Sequence, residues 1–324
     1  MDELCNQLPF NVGGYHFIRK IGRGCYSQCF EVTSDRYQQN FCAKVTMISD
    51  DIIDDDGNIA DMEIYALTSL DDPNIIRIYD IFVSGSFLFL ILELCQNQTI
   101  ADYINEKKSI NLKPILKGIS HAVCTCHKAN IAHRDIKPQN IFLDKYGRPK
   151  LADFGLSSLH NKKEHVSSVC GSKNYLAHEA LKNETYDPFM ADIWSLGVTF
   201  YEIVTGKLPS INDILHNELQ FPENTDINLI NLIKRMLAFR PNDRPTIFEI
   251  CHSVYFYDNI NKPRRSFMNS KKYKTFNKSC TEIHGLRKFG VYQNNISPSS
   301  LGSLTVSHSI DAIIKYKSMD CQSS

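Results

Sequence analysis

The sequence feature that most constrains this chain is a polar cluster at residues 133–140, which reads HRDIKPQN, followed by DFG at residues 153–155. The two motifs place an Asp, a Lys and an Asn within six residues, and a second Asp thirteen positions after the Asn. Phosphoryl transfer from a nucleotide needs these groups: an Asp to orient the attacking hydroxyl and accept its proton, a Lys to balance charge on the moving group, and an Asn and an Asp to hold metal ions. Both motifs in this order and spacing predict a phosphoryl-transfer enzyme.

These motifs resemble those of the eukaryotic protein kinases, and a glycine-containing stretch upstream extends the resemblance. Residues 21–29 read IGRGCYSQC, where kinases carry G-x-G-x-x-G-x-V, a flap whose backbone N–H groups cover the phosphates. The chain departs from that pattern at Ser27, which replaces the third Gly, and at Cys29, which replaces the Val that packs on adenine. Because Ser is small and Cys is an adaptable apolar residue, we expect a loop of this kind between two strands.

A lysine and a glutamate have the spacing of the kinase pair that positions the nucleotide phosphates. Residues 41–45 read FCAKV and resemble V-A-I-K, so the resemblance implies that Lys44 pairs with the α- and β-phosphates. Glu63 lies ten residues before Pro73 of a Asp-Pro-Asn-Ile run, as the kinase helix glutamate lies before the Pro of H-P-N-I. Apolar residues 59, 62, 67 and 70 recur at helical spacing around Glu63. The resemblance therefore predicts a helix whose Glu63 holds Lys44.

An acidic run at residues 50–58 allows a different interpretation, a calcium-binding loop. Asp54, Asp56, Gly57 and Glu63 fit four positions of an EF-hand, but the first ligand position would be Ile52, which cannot bind a hard cation. We interpret the run as a solvated loop that favours the start of the following helix electrostatically.

A continuous apolar run at residues 87–95, FLFLILELC, predicts a buried strand. In the kinase resemblance this is the fifth strand, which runs into the hinge. Leu92 is then expected behind the adenine, and the backbone of Glu93 and Cys95 is expected to hydrogen-bond the base. The resemblance implies further nucleotide contacts from residues on both sides of the cleft: Ile21, Gly22, Gly24, Cys29, Ala43, Lys44 and Phe142.

The region that follows DFG keeps part of a further kinase pattern. Residues 177–179 read AHE where kinases have Ala-Pro-Glu, so His178 replaces the Pro and Glu179 is retained. Its expected ion-pair partner, Arg244, is retained as well. A buried carboxylate without that partner would be costly, so the retention of both predicts an intact C-terminal lobe. Asp192, in DIWSLG at 192–197, is expected to support the backbone of the HRD loop.

The resemblance covers residues 15–256 and implies an α+β, two-lobed protein kinase fold. The N-lobe, residues 15–94, is expected to be a small antiparallel β-sheet with one helix, and the C-lobe, residues 95–256, is expected to be larger and mainly helical. Residues 1–14 are then an N-terminal extension. The segments GSKNYLA at 171–177 and SLGV at 195–198 resemble most the calcium/calmodulin-dependent and AMP-activated, or CAMK-like, group of serine/threonine kinases.

Composition is compatible with this prediction. Lys plus Arg and Asp plus Glu both number 36, so the overall charge favours neither nucleic acid nor a membrane as partner. The N-terminus lacks the basic-then-apolar pattern of a signal peptide, and no apolar run reaches membrane-spanning length. The eleven Cys are scattered without metal-ligand spacing, which predicts reduced thiols in a cytoplasmic or nuclear protein.

The chain changes character in residues 257–324. From residue 261 onward it has eleven Lys or Arg against three acidic residues, with many Ser and Asn. This composition predicts a basic, Ser-rich, disordered tail. The alternative is a regulatory tail that binds the kinase domain, an acidic partner or a membrane surface, with Ser266 as a candidate phosphorylation site.

We therefore predict an ATP- and Mg²⁺-dependent serine/threonine protein kinase that acts on protein substrates, with an upstream activating kinase as a candidate partner. The resemblance assigns one role to each of six residues: Asp135 as base, Lys137 as stabiliser of the transferred phosphoryl group, Asn140 and Asp153 as Mg²⁺ ligands, and Lys44 with Glu63 as the phosphate-positioning pair.

Two other function classes stay open. A catalytically inactive scaffold of kinase fold usually lacks the Lys, the catalytic Asp or the metal Asp, and this chain has all three. A kinase-fold enzyme for small molecules is disfavoured by the intact peptide-positioning segment at residues 171–179.

Overall fold

The structure is a computed structural model that describes residues 8–24, 27–34, 36–48, 59–96, 98–160, 166, 170–182 and 185–257. The acidic run with its calcium-loop alternative and the basic tail lie outside these residues, so both interpretations stay predictions. Among the described residues, no helix is both long and apolar enough to cross a lipid bilayer.

An antiparallel six-stranded sheet forms the smaller lobe, with the strand order β1-β2-β3-β4-β6-β5. Its strands are β1 (Phe10–Val12), β2 (Tyr15–Arg23), β3 (Ser27–Ser34), β4 (Gln39–Met47), β5 (Ile78–Ser84) and β6 (Phe87–Glu93). The turn between β1 and β2 consists of Gly13 and Gly14, whose φ angles are 61° and 80°. A two-residue hairpin turn of this hand needs positive φ at both positions, which glycine adopts at no steric cost.

Strand β6 is apolar from Phe87 to Leu92 because both of its faces are buried. Leu88 and Leu90 point into a large core that continues through the larger lobe. Phe89 and Ile91 alternate with them and pack in a separate, aromatic-rich core on the opposite face of the sheet. Since successive side chains of a strand point to opposite faces, two buried faces require a continuous apolar run instead of an alternating one.

The glycine-containing loop is shorter than the sequence indicated. Strand β2 continues as far as Arg23 and β3 begins at Ser27, so residues 21–23 and 27–29 of the motif belong to strands. Gly22 pairs with Cys29 across the two strands, after a register shift between Lys20 and Gly22. Backbone pairing therefore extends the strands into the motif, because ladder hydrogen bonds require no particular side chain.

Helix α1 (Ile59–Ser69) lies between β4 and β5 in the chain and completes the smaller lobe. The larger lobe contains α2 (Ile100–Asn105), α3 (Leu112–Lys128), α4 (Pro188–Thr205), α5 (Ile211–Leu215), α6 (Ile227–Met236) and α7 (Ile247–Cys251). Its short strands are β7 (Ile131–Ala132), β8 (Ile141–Leu143), β9 (Pro149–Leu151) and β10 (Ser158–Leu159), paired antiparallel as β7–β10 and β8–β9. Five 3-10 segments complete the described part of this lobe: Pro138–Asn140, Lys173–Tyr175, Ala180–Lys182, Pro241–Asp243 and Val254–Phe256.

Helix α4 is the central element of the larger lobe. It begins after Asp187, whose side chain accepts hydrogen bonds from the backbone N–H groups of Phe189 and Met190. It ends before Gly206, which has φ 72° in the left-handed region that glycine adopts freely. Most of its eighteen residues are buried, so this helix is apolar on nearly every side, as a core helix must be.

The prediction of an α+β fold with two lobes is confirmed. The smaller lobe is an antiparallel β-sheet with one helix, and the larger lobe is mainly helical.

Candidate active site

Lys44 lies at the centre of a contact between three elements. Its Nζ atom is 2.6 Å and 2.9 Å from the two carboxylate oxygens of Glu63 on α1, and 3.0 Å from Oδ1 of Asp153. Glu63 is buried, whereas the side chain of Asp153 is 51% exposed. The structure therefore brings together three predicted site residues that are up to 109 positions apart in the chain.

The charges of this cluster are coupled. Burial alone would lower the pKa of Lys44, but Glu63 and Asp153 outweigh it and raise that pKa, so the ammonium stays charged. Burial also raises the pKa of Glu63, against the opposing effect of Lys44. For Asp153, burial favours the neutral acid, but the Lys44 ammonium lowers its pKa below the usual value. Asp153 is consequently an exposed carboxylate that stays ionised, which is the state a cation requires.

The predicted catalytic residues form a second cluster around Asp135. Its Oδ2 atom accepts hydrogen bonds from Lys137 Nζ at 2.6 Å and from Asn140 Nδ2 at 2.9 Å. Its Oδ1 atom accepts from the backbone N–H of Ser172 at 3.0 Å, and the Ser172 hydroxyl lies 2.6 Å from Lys137 Nζ. Ser172 was not identified from the sequence, because no local pattern links it to a loop 37 residues away.

Asp192 on α4 holds the backbone of this loop, as the sequence predicted. Its two carboxylate oxygens accept hydrogen bonds from the backbone N–H groups of His133 and Arg134, both at 2.8 Å, and its Oδ2 atom also lies 2.9 Å from His127 Nε2. Burial favours the neutral acid, but these hydrogen bonds and the His127 ring lower the pKa of Asp192. Arg134 has φ 66°, an uncommon conformation that the Asp192 contacts help to maintain.

The HRD and DFG motifs are joined directly to each other. The backbone N–H of Ala152 donates to the carbonyl oxygen of Asn140 at 2.9 Å, and the His133 ring packs edge-on against Phe154 at 4.7 Å between centroids. Burial lowers the pKa of His133, so its ring is neutral in this packed position. Asp153 follows with φ 63°, which turns its carboxylate toward Lys44.

The donor set at this point fits Mg²⁺. Magnesium is usually bound by one or two protein oxygens together with substrate phosphates and water. Asp153 offers an exposed carboxylate, and Asn140 donates through its amide nitrogen, which leaves its amide oxygen as an acceptor. No cluster of three or more His, Cys, Asp or Glu side chains suited to a metal occurs among the described residues. A Mg²⁺ ion held by so few protein oxygens usually takes its remaining ligands from substrate phosphates and water.

The structure does not place the side chain of Ala43, a predicted nucleotide contact, on the face of the sheet that carries Lys44; Cys42 is on that face instead. Ala43 is fully buried in the core on the far face of the sheet. Because side chains alternate along a strand, Cys42 and Lys44 share the opposite face, where Lys44 pairs with Cys29 on β3 and Cys42 pairs with Leu92 on β6. The sequence could have indicated this, because residues two positions apart in a strand, such as 42 and 44, have their side chains on the same face.

Cys29 and Cys42 share this face, and the interaction between their thiols lowers the pKa of Cys29 and raises the pKa of Cys42. Glycines 22 and 24 lie on the β2 side of the same hairpin, where Gly24 N–H donates to the Ser27 carbonyl at 2.8 Å. Ile21 is 38% exposed on β2.

At the hinge, Leu92 is buried and Cys95 is half-buried, as expected for residues beside a bound base. The Glu93 side chain is held by Lys150 of β9 at 2.8 Å, and its backbone N–H donates to the Arg77 carbonyl. Lys150 is a buried cation that sequence reasoning missed, because its partner is 57 residues away.

Phe142 is half-buried on β8 and pairs in register with Lys150. Its bridge to Thr99, at the start of α2, ties β8 to the chain that leaves the hinge. The structure therefore places Phe142 next to the hinge side of the site, where the resemblance assigned a nucleotide contact.

The predicted ion pair between Glu179 and Arg244 is present and buried. The guanidinium is bidentate on the carboxylate, with N–O distances of 2.5 Å and 2.9 Å, and it also donates to the carbonyl oxygens of Met190 and Ala238. With a fifth, longer hydrogen bond to the Phe239 carbonyl at 3.3 Å, these contacts satisfy a buried charge that would otherwise be costly.

His178, which replaces the expected Pro, is accommodated by aromatic packing. Its ring stacks on Phe239, with 3.6 Å between ring centroids and an interplanar angle of 16°. Burial lowers the pKa of His178, so the ring is uncharged in this stack. The substitution therefore leaves the neighbouring ion pair intact.

Gly171 brings the segment after DFG onto the catalytic loop. It has φ 102°, and a Cβ atom at this position would lie 2.5 Å from the carbonyl oxygen of Arg134. Only glycine permits this approach, which places Ser172 against Asp135. Nearby, the Tyr175 hydroxyl donates to Glu202 at 2.6 Å, and burial raises the pKa of that carboxyl. Sequence reasoning missed Glu202.

A family model described as "Protein kinase domain" matches residues 15–256. Among curated proteins, a 3-phosphoinositide-dependent protein kinase B from Dictyostelium discoideum is 33% identical over 258 residues, which covers 75% of this chain and 28% of the relative. A carbon catabolite-derepressing protein kinase from Secale cereale is 34% identical over 199 residues, which covers 58% of this chain and 40% of the relative. A CBL-interacting serine/threonine-protein kinase 3 from Arabidopsis thaliana is 28% identical over 271 residues, which covers 79% of this chain and 62% of the relative.

The chain spans less than two thirds of the length of these curated relatives.

Proposed function

The chain belongs to the protein kinase domain family, and on that basis we propose that it is a serine/threonine protein kinase, which transfers the γ-phosphoryl group of ATP to a hydroxyl group of a protein substrate. The relatives with kinase names, among them CBL-interacting and carbon catabolite-derepressing kinases, support a member that resembles the CAMK-like group.

One observation carries this proposal: the two charged clusters are complete and connected. Lys44 is held by Glu63 and reaches Asp153, while Asp135 is held by Lys137 and Asn140. The backbone hydrogen bond from the Ala152 N–H to the Asn140 carbonyl joins the two clusters. A scaffold without activity would have no need for a phosphate-positioning pair and a proton acceptor in register with each other.

In the proposed reaction, the substrate hydroxyl donates its hydrogen bond to the Asp135 carboxylate. The hydroxyl oxygen forms a bond to the γ-phosphorus as the bond from that phosphorus to the bridging oxygen of ATP breaks, and the proton passes to Asp135. Lys137, which lies 2.6 Å from Asp135, balances charge on the moving group. The products are a phosphorylated side chain and ADP.

Lys44 positions the phosphates in this scheme because Glu63 fixes its ammonium from two directions. Asn140 and Asp153 would hold Mg²⁺, which when bound neutralises phosphate charge. The residues proposed to line the nucleotide site, besides Lys44, are Ile21, Gly22, Gly24, Cys29, Leu92, Glu93, Cys95 and Phe142. Cys42 is proposed in place of Ala43, because it shares the Lys44 face of the sheet.

The direct test of this function is transfer of radiolabelled phosphate from ATP to mixed peptides by the purified full chain. We expect Ser and Thr labelling by the wild-type protein, and a loss of about 10²-fold or more in Asp153→Ala, because that variant lacks a proposed metal ligand. Thermal unfolding of the variant controls for misfolding. Equal labelling by wild type and Asp153→Ala would contradict the proposal, and no labelling by either would favour the inactive scaffold.

We also propose that phosphorylation of the activation segment, at Ser168 with Ser167 as the second candidate, raises activity. Both serines lie outside the described residues. Val166, two positions before Ser168, forms a backbone bridge with Tyr186, whose side chain hydrogen-bonds Arg134 beside the catalytic Asp135. This proximity supports the proposal, because a phosphate near Arg134 gains charge-assisted hydrogen bonds and orders the segment.

We expect Ser168→Ala to lower kcat/KM by about tenfold or more, since each charge-assisted hydrogen bond contributes roughly 1.5–3 kcal/mol. The measurement combines mass spectrometry of the active protein with kinetics of Ser168→Ala and Ser167→Ala. The control is Ser210→Ala, at an exposed serine that precedes α5. Ser157 is not a suitable control position, because it is buried and its hydroxyl donates a hydrogen bond to the Phe154 carbonyl. Full activity of an unphosphorylated Ser167/Ser168 double Ala variant would contradict this prediction.

For substrate choice, we propose a weak preference for Arg upstream of the acceptor. Basophilic relatives carry Glu at the positions of Gln139 and Thr99, and both are neutral here. Asp102, the nearest carboxylate to Thr99, is engaged in the helix cap, where it accepts from the Thr99 N–H at 2.9 Å and from its hydroxyl at 2.7 Å. Leu156, after DFG, is a bulky residue that in this family tends to accompany Ser over Thr as acceptor.

A positional peptide library tests this choice. We expect selection of Ser over Thr, and enrichment of upstream Arg at least about tenfold below that of a basophilic kinase assayed in parallel, because two charge-assisted partners are missing. Strong selection for Arg two or three places before the acceptor would contradict the prediction. In that case Glu202 would be the candidate carboxylate for the substrate Arg. Its side chain accepts a hydrogen bond from Tyr175, and Gln139 also interacts with Tyr175.

We further propose that the protein acts in the cytoplasm or nucleus. All seven described cysteines are free thiols, as a reducing compartment implies. The basic tail is proposed to contact an acidic partner or the kinase domain, and the change of composition at residue 257 is what supports this.

A further inference from the structure

A cavity among the described residues of the larger lobe shares no lining residue with the proposed active site. It has a volume of about 620 Å³ and is bounded by α2, the start of α3 and the turn between β8 and β9. We name it the α3 groove, defined by Tyr103, Pro114, Lys117, His121, Tyr146 and Arg148.

The walls of the α3 groove are held in a fixed arrangement. Gly118 of α3 packs directly on β9, where a Cβ atom would lie 2.6 Å from Pro149 Cγ and 2.9 Å from Asn74 Nδ2. The Asn74 amide also donates to the Pro149 carbonyl at 2.9 Å. Because the helix and the strand approach this closely, the groove between them is preformed, and a ligand would not have to open it.

The charge of the α3 groove has one sign. No Asp or Glu is among its lining residues, whereas the Lys117 cation is exposed on α3, one turn before the exposed His121. Arg148 pairs with Asp144 at 2.7 Å, but Asp144 is buried while the Arg148 side chain is 54% exposed. The surface that a partner meets is therefore positive.

An exposed aromatic ring stands at the edge of the same groove. Tyr146 is 70% exposed, and its ring centroid lies 5.1 Å from Lys145 Nζ and 5.1 Å from Arg148 Cζ. Tyr and Arg are the residue types that most often dominate the energy of protein interfaces. Burial of this exposed ring against an apolar group of a partner would be favourable in free energy, and the two neighbouring cations would attract anionic groups.

We propose that the α3 groove docks an acidic linear segment of a partner protein that carries an aliphatic or aromatic anchor. The anchor packs beside Tyr146 and the prolines of the groove, and acidic side chains pair with Lys117 and Arg148. The chain's own tail does not suit this site, because residues 261–324 have eleven basic and three acidic residues and so carry the same sign as the groove. A partner held here would be tethered to the larger lobe without occupying the active site.

The test is a selection of phage-displayed random peptides on the immobilised full chain, followed by fluorescence anisotropy with the enriched peptides. We expect enriched peptides to combine acidic residues with at least one large apolar residue. Binding should weaken about tenfold or more in Lys117→Glu/His121→Glu, which removes the Lys117 cation and places two carboxylates on this face of α3, and also in Tyr146→Ala. The matched control is Lys207→Glu, an exposed lysine after α4 that does not line the groove and should bind as the wild type does.

The peptides themselves separate docking from simple attraction of charge. Replacing their acidic residues by Gln, or their apolar anchor by Ala, should each weaken binding. Three outcomes would overturn the inference: no enrichment, enrichment of neutral or basic peptides, or acidic peptides whose binding is unchanged in Lys117→Glu/His121→Glu or after loss of the anchor. Because the readout is binding, the result is independent of whether the chain is an active kinase.

Discussion

Asp135→Asn is expected to lower kcat by about 10²–10⁴-fold while nucleotide affinity stays near the wild-type value. The reason lies in the contacts of the carboxylate. Asn has the shape of Asp, so one atom of its amide can still accept a hydrogen bond from Ser172 or Lys137, but neutral Asn cannot take a proton from the substrate hydroxyl. Lys44, Glu63 and Asp153, which are assigned to the nucleotide, do not contact Asp135.

Two measurements are needed together: peptide phosphorylation under saturating ATP, and titration with a fluorescent ATP analogue. Asp71→Asn is a matched control, because it makes the same chemical change at an exposed carboxylate before β5. Lys44→Met provides the opposite pattern, with weakened nucleotide use as its main defect. Turnover by Asp135→Asn within a fewfold of wild type would remove Asp135 from the proposed role of base.

Arg244→Ala is expected to destabilise the protein by about 3–5 kcal/mol, which corresponds to a fall in Tm of roughly 10 °C. The guanidinium has no solvent exposure, and its removal leaves the largely buried Glu179 carboxylate without its bidentate partner. It also removes donors to the Met190 and Ala238 carbonyls and the cation that stands 4.9 Å from the Trp194 ring centroid. Each of these losses acts in the core of the larger lobe.

Denaturant unfolding of the purified variants measures this effect. Arg240→Ala is the control, since Arg240 is exposed in the same loop and should cost less than about 0.5 kcal/mol. The Glu179→Ala/Arg244→Ala double variant should lose less than the sum of the single variants, because it leaves no buried charge unpaired. Additive losses, or an Arg244→Ala protein as stable as Arg240→Ala, would show that the ion pair does not stabilise this lobe.

Residues whose chemistry defines a phosphoryl-transfer site could be found from the sequence. Asp135 and Asn140 lie within one short segment, and Glu63 keeps a fixed spacing from Pro73. The network of contacts around Lys44 and Asp135 agrees with these choices. The spacing of the motifs identifies these residues because several groups of the proposed site come from one short segment, where their separation in the sequence fixes their relative positions.

The comparison of residues 41–45 with V-A-I-K did not take into account which face of the strand each side chain is on, and the structure places Ala43 on the face opposite to Lys44. The alternation of side chains in β4 assigns position 42, not 43, to the side that carries Lys44. The sequence did not indicate that Gly22 and Arg23 lie in a strand, because their pairing depends on backbone hydrogen bonds, which require no particular residue type.

By itself, the sequence determined the family, the two-lobed α+β fold and the identity of the main charged residues, since each depends on residue types at short, fixed spacings. Only the tertiary structure decided which distant partners these residues have. Lys150 meets Glu93 across 57 residues, and Tyr175 meets Glu202 across 27. The α3 groove likewise exists only where a helix and a turn pack together. Such contacts arise from the packing of whole elements, and no local run of residues encodes them.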